Sequence, residues 1–278
     1  MDIKDIAGLS EPLKRVIDCL DKGVSSLFSP FIYKKVERAK MQIEQEKSDK
    51  NALIALKDAM TEDLIRVART SRDRNELHNI AEIYGGAIVE LQNFDPSKLP
   101  ALLPSNEWAA HFYDSAKDCS DDEIRILWSK ILAGEIKEPG KYFKRTLTNL
   151  KQIEKHEAEW FGKFCKYTID NSFFPEFALE GNRYLHFNEF QSLVDCGFIN
   201  ANLGGFLLDE SAELSFGSVV IEVTVGEKPY NLGIYTLTDT GTQICSLLKS
   251  EPDEKFIEDF SAELRKHKGI QTPIVGIR

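Results

Sequence analysis

Histidine and cysteine are the side chains that most often carry catalysis or bind metals, and this sequence spaces both far apart. No two histidines are four residues apart, the spacing that places two imidazoles on one helix face for zinc. The five cysteines form no C-x-x-C pair, and their odd number predicts neither a disulfide framework nor a zinc ribbon. We therefore predict buried thiols, no metal site and no cofactor. The residues are His78, His111, His156, His186, His267, Cys19, Cys119, Cys165, Cys196 and Cys245.

Two cysteine–histidine pairs could still meet in space as nucleophile and base, namely Cys119 with His111 and Cys165 with His156. Nothing in the sequence favours this over packed or solvated side chains. No catalytic residue is predicted, and the sequence favours a protein that is not an enzyme.

The segment from Gly134 to Lys141 has the outline of a phosphate-binding loop. Five residues rather than four separate Gly134 from Gly140, and Tyr142 stands where such a loop needs a Ser or Thr that binds magnesium. We predict instead that a helix ends here, the chain turns, and a new helix begins, with Gly134 as the helix C-cap.

Residues 239–242, Asp-Thr-Gly-Thr, match the tetrapeptide of aspartic proteases, in which two aspartates share one proton. A single copy would need a symmetric dimer to supply the second aspartate. Apolar residues follow at helical spacing, so we predict a strand end and a helix capped by Thr238 or Asp239.

Acidic residues gather just before a strongly helical stretch, where they could bind a cation or begin a helix. Ser120 and Glu123 have the spacing of a capping box, in which each side chain bonds to the other residue's backbone. Acids in a first turn also stabilise the helix dipole, which explains the cluster without a metal. The acids are Asp118, Asp121, Asp122 and Glu123.

Charge is unevenly distributed along the 278 residues, whose net charge is −10. Residues 130–166 hold nine Lys or Arg and five Asp or Glu, whereas residues 170–228 hold ten acids and two bases. The acidic segment would repel phosphates, so nucleic acid could bind only at the basic one. Its candidate contacts, beside the aromatic residues Tyr142 and Phe143, are Lys141, Lys144, Arg145 and Lys151.

Apolar periodicity predicts helices over most of the first 170 residues and a change of structure after them. Three prolines in residues 95–105 mark a linker. Residues 219–225 alternate as a strand, a turn is predicted at 226–229, and 230–234 would return as the second strand of a hairpin.

These elements predict a mainly α fold with an N-terminal helical region and a central helical bundle. A small α+β winged-helix-like module follows, because helices are predicted on both sides of the hairpin. The predicted divisions are 1–94 for long N-terminal helices, 106–170 for the central helical domain, 171–250 for the winged-helix-like module and 251–278 for a charged tail.

The N-terminal amphipathic stretch, residues 13–35, has three open interpretations. It packs on the rest of the chain, pairs with another subunit, or lies on a membrane surface through a cluster that includes Phe28 and Phe31. The first ten residues lack a signal-peptide core, and no apolar run is long enough to span a bilayer. We therefore expect a cytoplasmic protein, with peripheral attachment at the inner membrane as the alternative.

Residues 127–135, LWSKILAGE, followed by Pro139-Gly140 and Arg145-Thr-Leu, carry a more specific signal. They resemble the signature of an uncharacterised bacterial domain family, L-W-x-x-I-L-A-G-E, P-G, R-T-L. Weaker similarity extends over most of the chain. The family has no assigned activity, so the resemblance implies no catalytic residue; similar hypothetical proteins are associated with phage defence.

The signature also has a physical interpretation as a corner between two helices. Trp128 lies on an apolar helix face, and the Pro139-Gly140 pair sets a chain reversal. Arg145 could bind the carbonyls that end the first helix or pair with Glu135. The corner is therefore predicted to be structural, or to bind a partner.

The sequence favours an interaction or assembly protein, in which self-association or a protein partner is expected and no small-molecule cofactor is indicated. Phage defence is the process that the resemblance suggests. One alternative is a regulator that binds nucleic acid through residues 130–166. The other is a peripheral membrane protein attached through residues 13–35.

Overall fold

The structure is a computed structural model that describes residues 11, 15, 16, 18, 19, 71–91, 94–208, 211–226, 229–248, 251–267, 270 and 274–277. The chain divides into two compact units, residues 1–151 and 152–278. The proline-rich segment 95–105 lies inside the first unit. Phe28, Phe31 and most of the amphipathic stretch lie outside the described residues.

Four helices lie among the described residues between 71 and 152. They are α1 (Ser71–Leu91), α2 (Asn106–Ala116), α3 (Asp122–Lys137) and α4 (Lys144–Gln152), with a 3-10 turn at Pro96–Lys98. Helix α1 packs along α3, and both bury apolar side chains that recur every three or four residues.

An aromatic cluster joins three of these helices. The rings of Trp108 and Phe112 stack at 5.2 Å, and Phe112 meets the edge of Trp128 at 5.4 Å. Tyr84 of α1 contacts Phe112 edge-on at 6.0 Å. These offset and edge contacts are the arrangements that aromatic quadrupoles prefer, so they fix the relative positions of the helices.

Side-chain caps set where α2 and α3 begin. Ser105 accepts the backbone N–H of Trp108 at 3.1 Å. Asp121 accepts the N–H groups of Glu123 at 2.9 Å and Ile124 at 3.2 Å. The capping box predicted at Ser120 is wrong by one residue, because the Asp121 carboxylate reaches two free amides at once. The acids there begin a helix, as predicted.

The described residues of the second unit form helices and six short strands. The helices are α5 (Lys155–Cys165), α6 (Phe187–Asp195), α7 (Asp239–Cys245) and α8 (Glu254–Arg265). The strands are β1 (Phe173–Pro175), β2 (Gly204–Leu208), β3 (Ser211–Phe216), β4 (Val219–Thr224), β5 (Tyr230–Thr236) and β6 (Ile274–Ile277). Single 3-10 turns lie at Glu176–Ala178 and Glu180–Asn182.

The strands form two antiparallel three-stranded sheets, β1-β5-β2 and β3-β4-β6. The prediction of a mainly α fold with a small winged-helix-like module is therefore wrong, because the fold is mixed α+β. Strands β1 and β6 carry too few residues for alternation to show. They exist because they complete ladders with strands far along the chain.

The predicted hairpin is also wrong, although its two strands exist. Strand β4 pairs with β3 from Ser211↔Thr224 to Phe216↔Val219, so the chain reverses at Gly217–Ser218. Strand β5 pairs instead with β2. The predicted turn at 226–229 thus connects strands of different sheets.

Phenylalanines and tyrosines fill the described core of the second unit around α8. Phe256 and Phe260 stack at 5.7 Å, and Phe216 of β3 meets both edge-on. Two tyrosine hydroxyls donate to carboxylates of this region, Tyr167 to Asp253 at 2.7 Å and Tyr184 to Asp259 at 2.6 Å. The carboxylates satisfy the polar ends of otherwise buried rings.

Candidate functional site

The C-terminal end of α3 is a corner built around the buried carboxylate of Glu135. Its oxygens accept the backbone N–H groups of Gly140 at 2.6 Å and Tyr142 at 3.0 Å. Burial raises the pKa of Glu135 above its ordinary value, although these hydrogen bonds favour the ionised form. The carboxylate therefore satisfies the amides of the turn between α3 and α4.

Close packing fixes the same corner from the other side. A Cβ atom on Gly134 would lie 2.7 Å from the Tyr142 ring, so the glycine lets the ring rest on the helix backbone. The indole N–H of Trp108 donates to the carbonyl of Tyr142 at 2.8 Å. Gly134 is thus not the predicted helix C-cap, because α3 continues past it to Lys137.

The predicted interaction residues Trp128 and Glu135 are both buried inside this corner. Trp128 contacts Phe112, and Glu135 bonds to the turn. Their side chains hold the unit together from within. A partner that contacts the first unit would have to meet other residues.

The lysines predicted to bind anions each lie beside an acid. Lys141 pairs with Glu138 at 3.1 Å, Lys144 pairs with Glu107, and Lys151 lies 3.6 Å from Asp118. Lys151 also donates to the carbonyl of Asp114 at 2.8 Å. Such surface pairs add little stability, but each acid cancels much of the field that a phosphate would meet. Arg145 is exposed on the same helix as Lys144.

A groove runs between α1 and α3 on another face of the first unit, with a volume of about 370 Å³. Its floor contains Gly85, Gly86 and Ser129. A Cβ atom on Gly86 would lie 2.4 Å from the Ser129 hydroxyl oxygen, so the glycine allows the two helices to approach closely. Gly86 therefore has a close-packing role where α1 meets α3.

Ser129 itself is satisfied within the floor of the groove. Its hydroxyl oxygen lies 2.9 Å from the carbonyl oxygens of Ile83 and Arg125, and its single hydrogen serves these two acceptors. Ser129 is therefore a helix-joining residue rather than a nucleophile.

Two aliphatic side chains flank the groove and remain half-exposed. Val89 of α1 is 52% exposed, and Ile126 of α3 is 54% exposed. Both are out of phase with the apolar positions that their helices bury. Sequence analysis missed them, and this phase difference is the signal that could have found them.

A charged network closes one end of the groove. Arg125 donates to the side-chain oxygen of Asn79 at 3.0 Å and pairs with Asp122. Asn79 in turn donates to the carbonyl of Lys117 at 3.0 Å. Because Asn79 orients Arg125, the groove presents a positioned guanidinium beside the carboxylates of Asp122 and Glu82.

The candidate nucleophiles and bases of the sequence have other partners in the structure. The thiol of Cys119 donates to the carbonyl of Asp121 at 3.7 Å, and burial raises its pKa to about 11. The Nε2 atom of His111 lies 3.0 Å from the hydroxyl of Thr148. A thiol with a raised pKa and no base bonded to it is a poor nucleophile.

The tetrapeptide Asp-Thr-Gly-Thr begins helix α7, as predicted. Thr238 caps the helix by accepting the N–H of Gly241 at 3.1 Å, and it donates to the carbonyl of Gly197 at 2.7 Å. A Cβ atom on Gly241 would lie 2.1 Å from the carbonyl oxygen of Phe198. The glycine is therefore required by close backbone packing.

The corner and the groove lie in one segment that matches a protein-family model. Residues 66–179 match the model of DUF2806, described as a protein of unknown function. This confirms the expected similarity to an uncharacterised domain family. The DUF2806 match includes all of α1 to α4 and names no activity. No curated protein and no solved structure gives a significant match to the chain.

Two further properties concern the described residues only. Among them, no helix has the length and hydropathy needed to cross a membrane. In the same part of the chain, His, Cys, Asp and Glu side chains form no group of three or more that could hold a metal ion.

Proposed function

We propose that this protein is an assembly module in which two copies of the chain join through the groove between α1 and α3. The observation that carries the proposal is the pair of half-exposed aliphatic side chains, Val89 and Ile126, beside a glycine-floored groove. Water covers these side chains in a single copy. Burying them against a partner would recover the free energy of apolar transfer.

The shape of this face supports a second copy as the partner. A two-fold interface brings the same patch of both subunits together, so the patch must be complementary to itself. Here a projecting side chain, Ile126, lies beside a groove floored by Gly85 and Gly86. In the proposed dimer, Ile126 of each chain enters the groove of the other.

The charges of the groove support the same arrangement. One end carries both signs, with Arg125 beside Glu82 and Asp122. A face of a single sign would repel its own copy, whereas a mixed face places Arg125 of one chain near Glu82 of the other. Ion pairs at the edge of such an interface would set orientation more than affinity.

Light scattering after size-exclusion chromatography tests the dimer on the full chain. We expect wild type at about 100 µM to have twice the 31.5 kDa mass of one chain. Ile126→Asp should give the single-chain mass, because a carboxylate would be buried in the partner's groove. Leu102→Asp is the matched control, since Leu102 is exposed in the same unit outside the groove, and it should stay dimeric.

A variant that lacks residues 1–50 separates the groove from an assembly role of the N-terminal residues. If the groove joins the chains, Δ1–50 protein stays dimeric while Ile126→Asp does not. A monomeric wild type, or a dimer that survives Ile126→Asp but not the truncation, contradicts the proposal. Circular dichroism on every variant would establish that the change of mass is not caused by unfolding.

A further inference from the structure

The two most buried thiols of the second unit lie together where helices α5 and α7 end. Cys165 is 3% exposed and Cys245 is 0% exposed. The two helices pack against each other, and one side-chain hydrogen bond joins the two thiols, with Cys165 as donor and the sulfur of Cys245 as acceptor. Both cysteines are free thiols. Two sulfurs thus share one site although their residues are far apart in sequence.

Polar groups, rather than apolar side chains alone, surround this thiol pair. The hydroxyl of Thr168 donates to the carbonyl of Cys165 at 2.8 Å and lies 3.5 Å from the sulfur of Cys245. The side-chain oxygen of Asn171 accepts from Cys245 at 3.7 Å. Any residue at position 165 could accept the first of these bonds, whereas the two contacts of the Cys245 sulfur depend on its thiol.

The segment beside Cys245 holds two residues in an unfavourable backbone conformation. Asp170 has φ of 50° and Asn171 has φ of 53°, in the left-handed region that costs non-glycine residues energy. Asn171 is exposed, so the sulfur of Cys245 lies one side chain below the surface. The backbone carbonyl of Cys165 accepts from Thr168, and its thiol bonds to Cys245.

We propose that Cys165 and Cys245 are a redox pair that forms an intrachain disulfide when the protein meets a peroxide. The thiolate of Cys245 attacks one peroxide oxygen, the O–O bond breaks, and Cys245 becomes a sulfenic acid while water leaves. Cys165 then attacks that sulfur, an S–S bond forms, and the S–O bond breaks. The hydroxide leaves as water with the proton of Cys165, so two thiols are oxidised and one peroxide is reduced.

The order of the two cysteines follows from their surroundings. Cys245 reacts with the peroxide first, because the hydrogen bond from Cys165 lowers the pKa of its thiol and its sulfur contacts the exposed Asn171. Burial raises the pKa of the Cys165 thiol well above its ordinary value, which suits a sulfur that reacts only once a sulfenic acid is beside it. The disulfide would link the end of α5 to the end of α7, two helices that strands β1 to β5 separate in the sequence.

Mass spectrometry of the full chain after treatment with hydrogen peroxide tests the pair. We expect the intact mass to fall by about 2 Da, the two hydrogens lost on disulfide formation, and a proteolytic product that joins Cys165 to Cys245 without reduction. Cys196→Ser is the matched control in the same unit, where burial and Glu157 raise the pKa of Cys196 to about 12. It should form the same cross-link.

A second variant keeps the proposal open to disproof if the disulfide itself is hard to isolate. In Cys165→Ser the sulfenic acid on Cys245 has no thiol to react with, so dimedone should label Cys245. The proposal is overturned if peroxide oxidises Cys119 or Cys196 while no Cys165–Cys245 product forms in wild type. It is equally overturned if dimedone labels no Cys245 in the folded Cys165→Ser protein.

Discussion

Each face of helix α3 carries one residue of the polarity that is usually found on the other face. Its inner face buries a charge, Glu135, and its outer face exposes an aliphatic side chain, Ile126. The buried charge is matched by backbone donors. The exposed aliphatic side chain lies beside a groove. A residue that breaks the usual polar–apolar pattern therefore indicates a structural role when its side chain finds partners within the chain. It indicates a candidate contact surface when an apolar side chain stays exposed to water.

This difference separates the motif at residues 127–135 from the proposed interaction face. The signature residues Trp128, Gly134 and Glu135 all have roles in packing or hydrogen bonding inside the first unit. Val89 and Ile126 lie outside the signature motif, where they leave apolar surface uncovered. The most recognisable part of the sequence thus maintains the fold, and the candidate contact surface lies elsewhere on the same helices.

The largest difference in stability should appear when one side chain on each face of α3 is replaced by alanine. Trp128→Ala should lower the free energy of unfolding by about 3–5 kcal/mol, because it leaves a large cavity against Phe112. Ile126→Ala should change it by less than about 0.5 kcal/mol in monomeric protein, as expected at the surface. Urea denaturation below the dimerisation concentration measures both. Similar losses for the two variants would contradict the assignment of faces.

Removal of the buried carboxylate should have the next largest effect. Glu135→Ala leaves the N–H groups of Gly140 and Tyr142 without acceptors, and we expect a loss of about 2–4 kcal/mol. Glu138→Ala, a change at the exposed neighbouring acid, is the control and should cost less than about 1 kcal/mol. Thermal and urea unfolding measure the loss, and equal effects would show that the corner does not depend on Glu135.

The effect of Glu135 on the free energy of unfolding should depend on pH. Burial raises the pKa of Glu135, so the folded protein holds the proton of this carboxyl more tightly than the unfolded chain does. The resulting contribution to the free energy of unfolding is fully present below the pKa of the unfolded chain. That stability is lost as pH rises through the folded pKa. Wild type should therefore exceed Glu135→Gln in free energy of unfolding by more at pH 4 than at pH 7. Urea titrations at both pH values measure this difference, and a gap that widens towards pH 7 would contradict the direction.

The smallest effect should come from the lysines on the surface of the corner. Lys144→Ala with Lys151→Ala should lower stability by less than about 1 kcal/mol, since both lysines form exposed ion pairs. Because those acids cancel their field, we expect no shift of duplex DNA by wild type even at about 50 mM salt. Binding that this double variant abolishes would instead favour the nucleic-acid role.

Local patterns predicted much of the first unit correctly. The spacing of apolar residues located α2 and α3. In the second unit the sequence placed a helix cap at Thr238 or Asp239, and the structure shows that Thr238 is the cap. The strand β4 followed from alternation, but its partners did not, because any strand of matching polarity could pair with it. The bond from Glu135 to the turn was missed since its acceptor role depends on where the chain returns after Gly140.

The sequence by itself determined the apolar periods of α2 and α3, the start of α7, the spacing of the cysteines and the contrast between a basic and an acidic segment. These are properties of neighbouring residues, which share one local geometry. The tertiary structure alone decided that β4 and β5 belong to different sheets, that Ile126 stays uncovered and that Cys165 meets Cys245. Those outcomes depend on contacts between distant residues, and their free energies are set by the packing of the whole unit.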